Sequence, residues 1–316
     1  MAHKLKGGSL SSTWLYEEET PYVRKEISTK ENREYGYVRW YSQLKKLQRL
    51  SGIYPALFPK ILHVGHTSDT AYFDLEYLNG FTDCKTLLVA GAVNEKKLNA
   101  AIWRAFDQIH ACAVPTAPGL PNLYFQEEVK QKLDDACKFK LFSEFIRYPS
   151  YVYFGTEVPN LELNLISDYF SGVYLSECHT HGNPTLENMM YSPEEDRVMF
   201  IDLYEESIID SAYLDLAQVL QCSRSHYGYI NDRSVIVSGN EVSHSLVIPA
   251  SFQIFNELYT ETIMARHLDI ELLNVLEATQ FIRMLPFKCA AGEIDKAKFF
   301  YVHACYLLNG IFNGIS

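Results

Sequence analysis

The chain has 316 residues, 47% of them hydrophobic and 21% charged, so a sizeable core is available and wholesale disorder is excluded. Its 28 Lys and Arg against 39 Asp and Glu give a formal charge of -11, which argues against general binding to nucleic acid or an anionic membrane. Seven Cys, with no Cys-x-x-Cys pair, read as reduced thiols of a cytoplasmic protein; the N-terminus lacks an apolar leader, and no run of about 18 apolar residues occurs.

Residues 10–28 alternate polar and apolar in two short runs about Glu17-Glu18-Glu19-Thr20-Pro21, which predicts a hairpin. From residue 30 to 50, Tyr37, Trp40, Tyr41, Leu44 and Leu47 recur at three- and four-residue steps, the mark of an amphipathic helix. A second strand pair follows over residues 61–66 and 70–78. Residues 94–112 read as a helix with Asn94 as its N-cap, and 126–147 as another. A short strand over residues 197–205 lies inside an otherwise helical second half. Three closing helices are expected at 251–267, 270–284 and 293–309, the last two separated by a break at Pro286. The outline is α+β: a small β-rich part, residues 1–78, and a larger, mostly helical part, residues 79–316.

The most informative stretch runs from His179 to Asp215. Phosphoryl transfer is mainly positioning and charge neutralisation, and needs oxygen ligands for Mg²⁺ and a group that orients the attacking hydroxyl. Asn188 offers a carbonyl oxygen and Asp202 a carboxylate, hard ligands suited to Mg²⁺ held jointly with nucleotide phosphates. Asp202 ends the apolar run Val198-Met199-Phe200-Ile201, where a rigid strand can place a ligand accurately. His181-Gly182-Asn183, then Asn188, then Ile201-Asp202, resembles the catalytic core of the aminoglycoside phosphotransferase and choline kinase family. Its motif is His-Gly-Asp-x4-Asn followed by Ile-Asp. Tyr213-Leu214-Asp215-Leu216-Ala217 is similar to the family's Asp-Leu-Ala helix, whose Asp braces the catalytic loop. Thr185 to Asn188 and Gln280 to Met284 are most like the branch found beside bacterial surface-sugar genes.

The resemblance implies a bilobal, protein-kinase-like fold and an ATP- and Mg²⁺-dependent transfer to the hydroxyl of a small, sugar-like acceptor. It extends to the front part. Lys6-Gly7-Gly8-Ser9-Leu10-Ser11-Ser12 looks like a phosphate-covering loop, in which Gly7 and Gly8 let backbone N–H groups approach and Ser9, Ser11 and Ser12 add donors. Tyr22-Val23-Arg24-Lys25 resembles the strand bearing the ATP lysine, Lys25; a register shift of one would give the role to Arg24. Arg33-Glu34 resembles the helix start that makes Glu34 the partner of Lys25, with Glu31 and Glu26 as alternatives. Residues 73–80 look like the inter-lobe hinge, where backbone groups of Glu76 and Leu78 would meet adenine. His110 matches a helix-ending His and is read as a packing residue.

One departure bears on function: Asn183 stands where the family carries its catalytic Asp. An amide can hydrogen-bond an acceptor hydroxyl but cannot take its proton at neutral pH. Either a working enzyme carries a disabling substitution, or the chain is a natural nucleotide-binding module without efficient turnover, acting through a partner. A third reading is a choline or aminoglycoside acceptor. A zinc site at Cys178, His179 and His181 lacks a second ligand cluster, and Cys178 with His181 lacks an orienting third group. Asp210, His226 and Arg283 are further polar candidates of no assigned role.

Overall fold

Alternating side chains on either side of a proline-bearing turn make a hairpin. In the computed structural model, which describes residues 2–5, 11–30 and 35–312, that hairpin is the centre of a five-stranded antiparallel sheet. Its elements are β1 (Ala2–Leu5), β2 (Ser12–Tyr16), β3 (Tyr22–Ser28), helix α1 (Tyr35–Ile53), β4 (Ile61–His66) and β5 (Thr70–Glu76), in strand order β1-β2-β3-β5-β4. Arg24 lies opposite Trp14 and Asp74, Lys25 opposite Thr13 and Phe73, so the two basic residues of β3 point to opposite faces. Helix α1 buries Trp40, Leu44, Leu47 and Leu50, with the Trp40 ring 5.6 Å from Phe73. Tyr37 and Tyr41, expected on the same stripe, stay exposed on its shoulder and stack on each other at 6.3 Å. The buried stripe is narrower than the spacing predicts, because one sheet face covers only about a third of a helix.

The chain then turns through Tyr77–Gly80, where Gly80 adopts φ 77°, and enters the larger part. There follow β6 (Thr82–Asp83), α2 (Cys84–Ala90), α3 (Glu95–Ile109), β7 (Val114–Pro115), α4 (Leu120–Tyr124), a π-helical turn (Phe125–Lys130), α5 (Gln131–Cys137), α6 (Lys140–Phe145), β8 (Ser150–Tyr153), β9 (Thr156–Pro159), α7 (Leu163–Gly172) and β10 (Ser176–Glu177). After them come β11 (Met189–Ser192), β12 (Arg197–Phe200), α8 (Ala212–Ser223), α9 (Tyr227–Asn231), β13 (Ile236–Ser238), β14 (Glu241–Ser243), α10 (Ala250–Ala265), α11 (Ile270–Ala290) and α12 (Ile294–Phe312). Asn94 caps α3, its Oδ1 accepting the Lys97 N–H at 3.0 Å. Strands β12, β11 and β6 form a three-stranded sheet, and β13, β14, β8 and β9 a four-stranded one.

Three sequence expectations are corrected. The single helix over 126–147 is three pieces, the π-helical turn, α5 and α6; the π-helical turn inserts an extra residue and shifts the buried face between Tyr124 and Val129, and the chain breaks again between Cys137 and Lys140. Pro286 does not end a helix: α11 runs through it to Ala290, and the chain reverses at Gly292, φ 76°. Near a helix end the missing proline N–H deprives only one carbonyl, which a long packed helix tolerates. The strand over 197–205 stops at Phe200, because Asp202 takes φ 58° and leaves the ladder.

Helix α8 is buried on every side from Leu214 to Ser223, yet it carries Asp215, Gln218, Gln221 and Ser223. A helix buried all round is ordinarily apolar, so these polar groups mark where the larger part does something other than pack.

Several imidazoles are buried in the neutral form. Burial pushes His303 down to about 3, and His181 and His226 down to about 4. Their stabilising contribution is complete above the unfolded value of about 6.5 and is withdrawn as pH falls from there toward 4. For the fully buried His181 alone this amounts to roughly 2 kcal/mol at pH 5. Urea denaturation at pH 7.5 and pH 5 is expected to show a clear loss of stability on acidification; an unchanged midpoint would contradict the buried neutral histidines.

Candidate active site

The loop between β10 and β11 is held by one buried carboxylate. Asp215, in the first turn of α8, accepts the backbone N–H of His181 (2.9 Å) and of Gly182 (2.8 Å), and pairs with His110 Nε2 at 3.0 Å. Burial would raise its pKa, but the hydrogen bond and charge of His110, His181 and the Gly182 N–H together hold it below the usual carboxylate range. His110, stacked on Phe106 at 5.0 Å, is thus both a packing residue and a support of the loop. His181 Nε2 meets the Ile201 carbonyl at 2.8 Å and its Nδ1 accepts the Asn183 N–H at 3.1 Å, an arrangement that fits the neutral ring protonated on Nε2. Gly182 takes φ 82°, and a Cβ there would meet the Tyr204 carbonyl at 2.8 Å.

This frame delivers the polar residues to one place. The Ile201 N–H donates to the Asn188 carbonyl at 2.9 Å, which puts Asn188 beside the residue before Asp202, just past the end of β12. Asn188 Nδ2 donates to the Asn183 carbonyl at 3.0 Å, so the amide orientation leaves Oδ1 turned away from that bond. No hydrogen bond of the Asn183 side chain falls among the described residues, whereas its backbone carbonyl also accepts the Thr185 N–H at 2.8 Å. From the front sheet, Lys25 Nζ contacts Asp202 Oδ1, and Gln43 Nε2 of α1 reaches the same oxygen at 3.0 Å. Burial would raise the Asp202 pKa, but the Lys25 charge and the hydrogen bonds from Lys25 and Gln43 outweigh it and lower it, leaving an ionised carboxylate.

Arg24 does not reach this place. It makes a two-pronged bond to Asp74 (2.7 and 2.9 Å) and lies over the Tyr72 ring at 3.9 Å on the other face of the sheet. Glu26 is occupied with Trp14 Nε1 at 2.8 Å. Ser12 pairs with Glu26 in the ladder, with Ser11 just before it; Gly7, Gly8, Ser9, Glu31 and Glu34 lie outside the described residues. At the turn between the parts, Glu76 exchanges backbone and side-chain bonds with Lys60, and the Leu78 carbonyl accepts the Phe81 N–H at 3.2 Å.

Three α1 residues were not singled out from the sequence. Arg39, Gln43 and Lys46 form a stripe at steps of four and three. Arg39 binds Glu205 at 3.0 Å, Gln43 the Leu203 carbonyl at 2.6 Å, and Lys46 the Tyr204 carbonyl at 2.7 Å and Asp210 at 3.3 Å. Their helical spacing was the available signal. Asp210 also accepts from Thr180, and His226, at the start of α9, lays its ring edge-on against Phe252 at 5.7 Å, so both have structural partners. Burial pushes the Cys178 thiol up to about 12, and His181 is fully engaged, which removes that pair as a nucleophile and base. Among the described residues no group of three or more His, Cys, Asp or Glu is arranged to hold a metal ion alone. The Asn188 Oδ1 and Asp202 oxygens are the hard, partly anionic donors that Mg²⁺ shared with phosphates requires, so the residues fit that ion.

No family model and no curated relative matches the chain. Solved structures do. A protein assigned as a fructosamine-3-kinase from Haemophilus somnus superposes with a TM-score of 0.54 at 14% identity, over 96% of this chain and 90% of that one. Another so assigned, from Thermobifida fusca, gives 0.55 at 10% identity, over 97% and 93%. The fold is protein-kinase-like. An aminoglycoside phosphotransferase from Streptomyces rimosus is more distant, at a TM-score of 0.46 and 12% identity. In kinase-like terms the front sheet with α1 is the smaller lobe, the helical part the larger, and Lys25 and Asp202 meet across the cleft between them. No described helix is long and apolar enough to cross a membrane.

Gly182→Ala forces a side chain into a left-handed backbone and against the Tyr204 carbonyl and the Ser207 Oγ at 3.0 Å. A destabilisation of roughly 1–3 kcal/mol is expected in urea denaturation; a wild-type midpoint would mean that the loop is not braced as described.

Proposed function

We propose that the chain is an ATP-dependent small-molecule phosphotransferase that passes the γ-phosphoryl group to a hydroxyl of a sugar-like metabolite. The observation that carries this reading is the meeting of Lys25 and Asp202 across the cleft, beside Asn188 and a loop braced by Asp215. A cation and an ionised carboxylate that face each other at an interlobe cleft are placed to exchange that contact for phosphate and metal. Lys25 would hold the α- and β-phosphates, and Gly7, Gly8, Ser9, Ser11 and Ser12 would cover them. Glu34 would steady Lys25, and the backbone at Glu76 and Leu78 would meet adenine. Asn188 and Asp202 would hold Mg²⁺, which when bound neutralises phosphate charge. The structural neighbours assigned as fructosamine-3-kinases agree with a sugar-derived acceptor, and we place the protein in the cytoplasm with no nucleic-acid or membrane partner.

Asn183 sets the rate. Its side-chain carbonyl can accept a hydrogen bond from the acceptor hydroxyl and so orient it, but the proton must leave by another route. Because little covalent chemistry falls to the protein in a loose transition state, some transfer survives. The same residue favours a second reading, a catalytically silent nucleotide-binding module that acts through a partner.

Mg-ATP is expected to raise the melting temperature of both the parent and Asn183→Asp. ATP consumption with a panel of sugars and aminoalcohols is expected to rise about 10²- to 10⁴-fold in Asn183→Asp. Stabilisation by Mg-ATP with no turnover in either form would favour the silent module; no stabilisation would overturn both readings.

A further inference from the structure

Beneath the catalytic loop lies a space that the nucleotide reading leaves unused. Its free volume is about 10 Å³, room for one water-sized group. Gly182, Ser211, Gln218, Glu128, Arg283 and Tyr124 are among its walls, so it begins one residue from Asn183.

Two of these walls carry polar atoms without partners. Ser211 is the N-cap of α8, where a serine ordinarily accepts a backbone N–H; here it makes no capping bond, and its wholly buried Oγ has no partner among the described residues. Gln218, 6% exposed, leaves its Oε1 equally unpaired. Its orientation is enforced. Arg283 Nη1 donates to Gln280 Oε1 at 2.8 Å, so Gln218 can face that oxygen only with Nε2, at 3.1 Å, and the same nitrogen donates to the Gly182 carbonyl at 3.3 Å. An unpaired buried polar atom is costly, and two on one cavity point to a missing hydrogen-bonding group.

The surrounding charges decide its chemistry. Glu128, carried on the π-helical turn, is bound to Arg283 Nε at 2.6 Å, and both oxygens of Asp215 are engaged by the loop N–H groups and His110. A cationic acceptor would find no free counter-charge here, and a second anion would meet Glu128 and Asp215. A hydroxyl, which can donate to Gln218 Oε1 and either donate to or accept from Ser211 Oγ, is the neutral group that suits these two atoms. Resting on the phosphotransferase reading, we propose that this cavity is the acceptor-recognition subsite. It seats one hydroxyl of a neutral, polyhydroxylated acceptor while another hydroxyl is presented at Asn183.

The test is the full chain in a thermal-shift and calorimetric comparison of neutral hexoses, pentoses and polyols with choline, ethanolamine and an aminoglycoside. Mg-ATP is run alongside. Neutral probes are expected to bind and cationic ones not. Ser211→Ala removes no capping bond, so its melting temperature is expected to equal or exceed that of the parent, while its affinity for the best neutral probe falls about ten-fold. Ser211→Val, which fills the space, is expected to abolish that binding and leave the Mg-ATP shift intact. Preference for a cationic probe, no binding of any neutral probe, or unchanged affinity in both variants overturns the subsite even where Mg-ATP binds normally. Absence of a Mg-ATP shift in the parent overturns the phosphotransferase reading on which it rests.

Discussion

A single buried carboxylate determines the geometry of the cleft. Asp215 accepts two successive backbone N–H groups, and that pair of bonds imposes the left-handed turn at Gly182 from which Asn183 and Asn188 are hung. A charge buried to this degree is tolerated only when hydrogen bonds replace its lost water, and here the loop itself supplies them. The loop and the carboxylate therefore need each other: without the loop Asp215 is a stranded charge, and without Asp215 the loop has no reason to hold a strained backbone.

How much of this could be read from the chain follows from how local each signal is. The hairpins, α1 and the cap at Asn94 are short-range patterns, and they form where the periodicity puts them. The four residues Asn183, Asn188, Asp202 and Asp215 stand within a contiguous stretch whose order survives in space, so their convergence was legible too. What stayed hidden depends on distant partners. Strands β8 and β14 are three or four residues long and pair in parallel across a wide sequence gap, which leaves no turn signal. The π-helical turn differs from an ordinary helix by one residue, and Pro286 is carried through because packing against α12 outweighs one missing bond. The polar stripe of α1 looks like a solvated face until the segment 203–210 is laid against it.

The cleft holds two kinds of polar order. Around Asp202, Lys25 and Gln43 are long side chains whose contacts with the carboxylate can be exchanged. Beneath Gly182, Arg283, Gln280 and Gln218 form a relay in which each amide orientation dictates the next, ending at the carbonyl of Gly182. Exchangeable contacts suit a ligand that comes and goes; a fixed relay suits discrimination between ligands that differ by one hydroxyl.

The α1 stripe has one more consequence. Because Gln43 grips Asp202 and Lys46 grips the segment flanking Gly182, a tilt of this one helix would be transmitted as a lever to Asp202 and to the turn at Gly182 together. Whatever binds at one end and shifts this helix is then linked to whatever binds at the other, each biasing the other by the same factor.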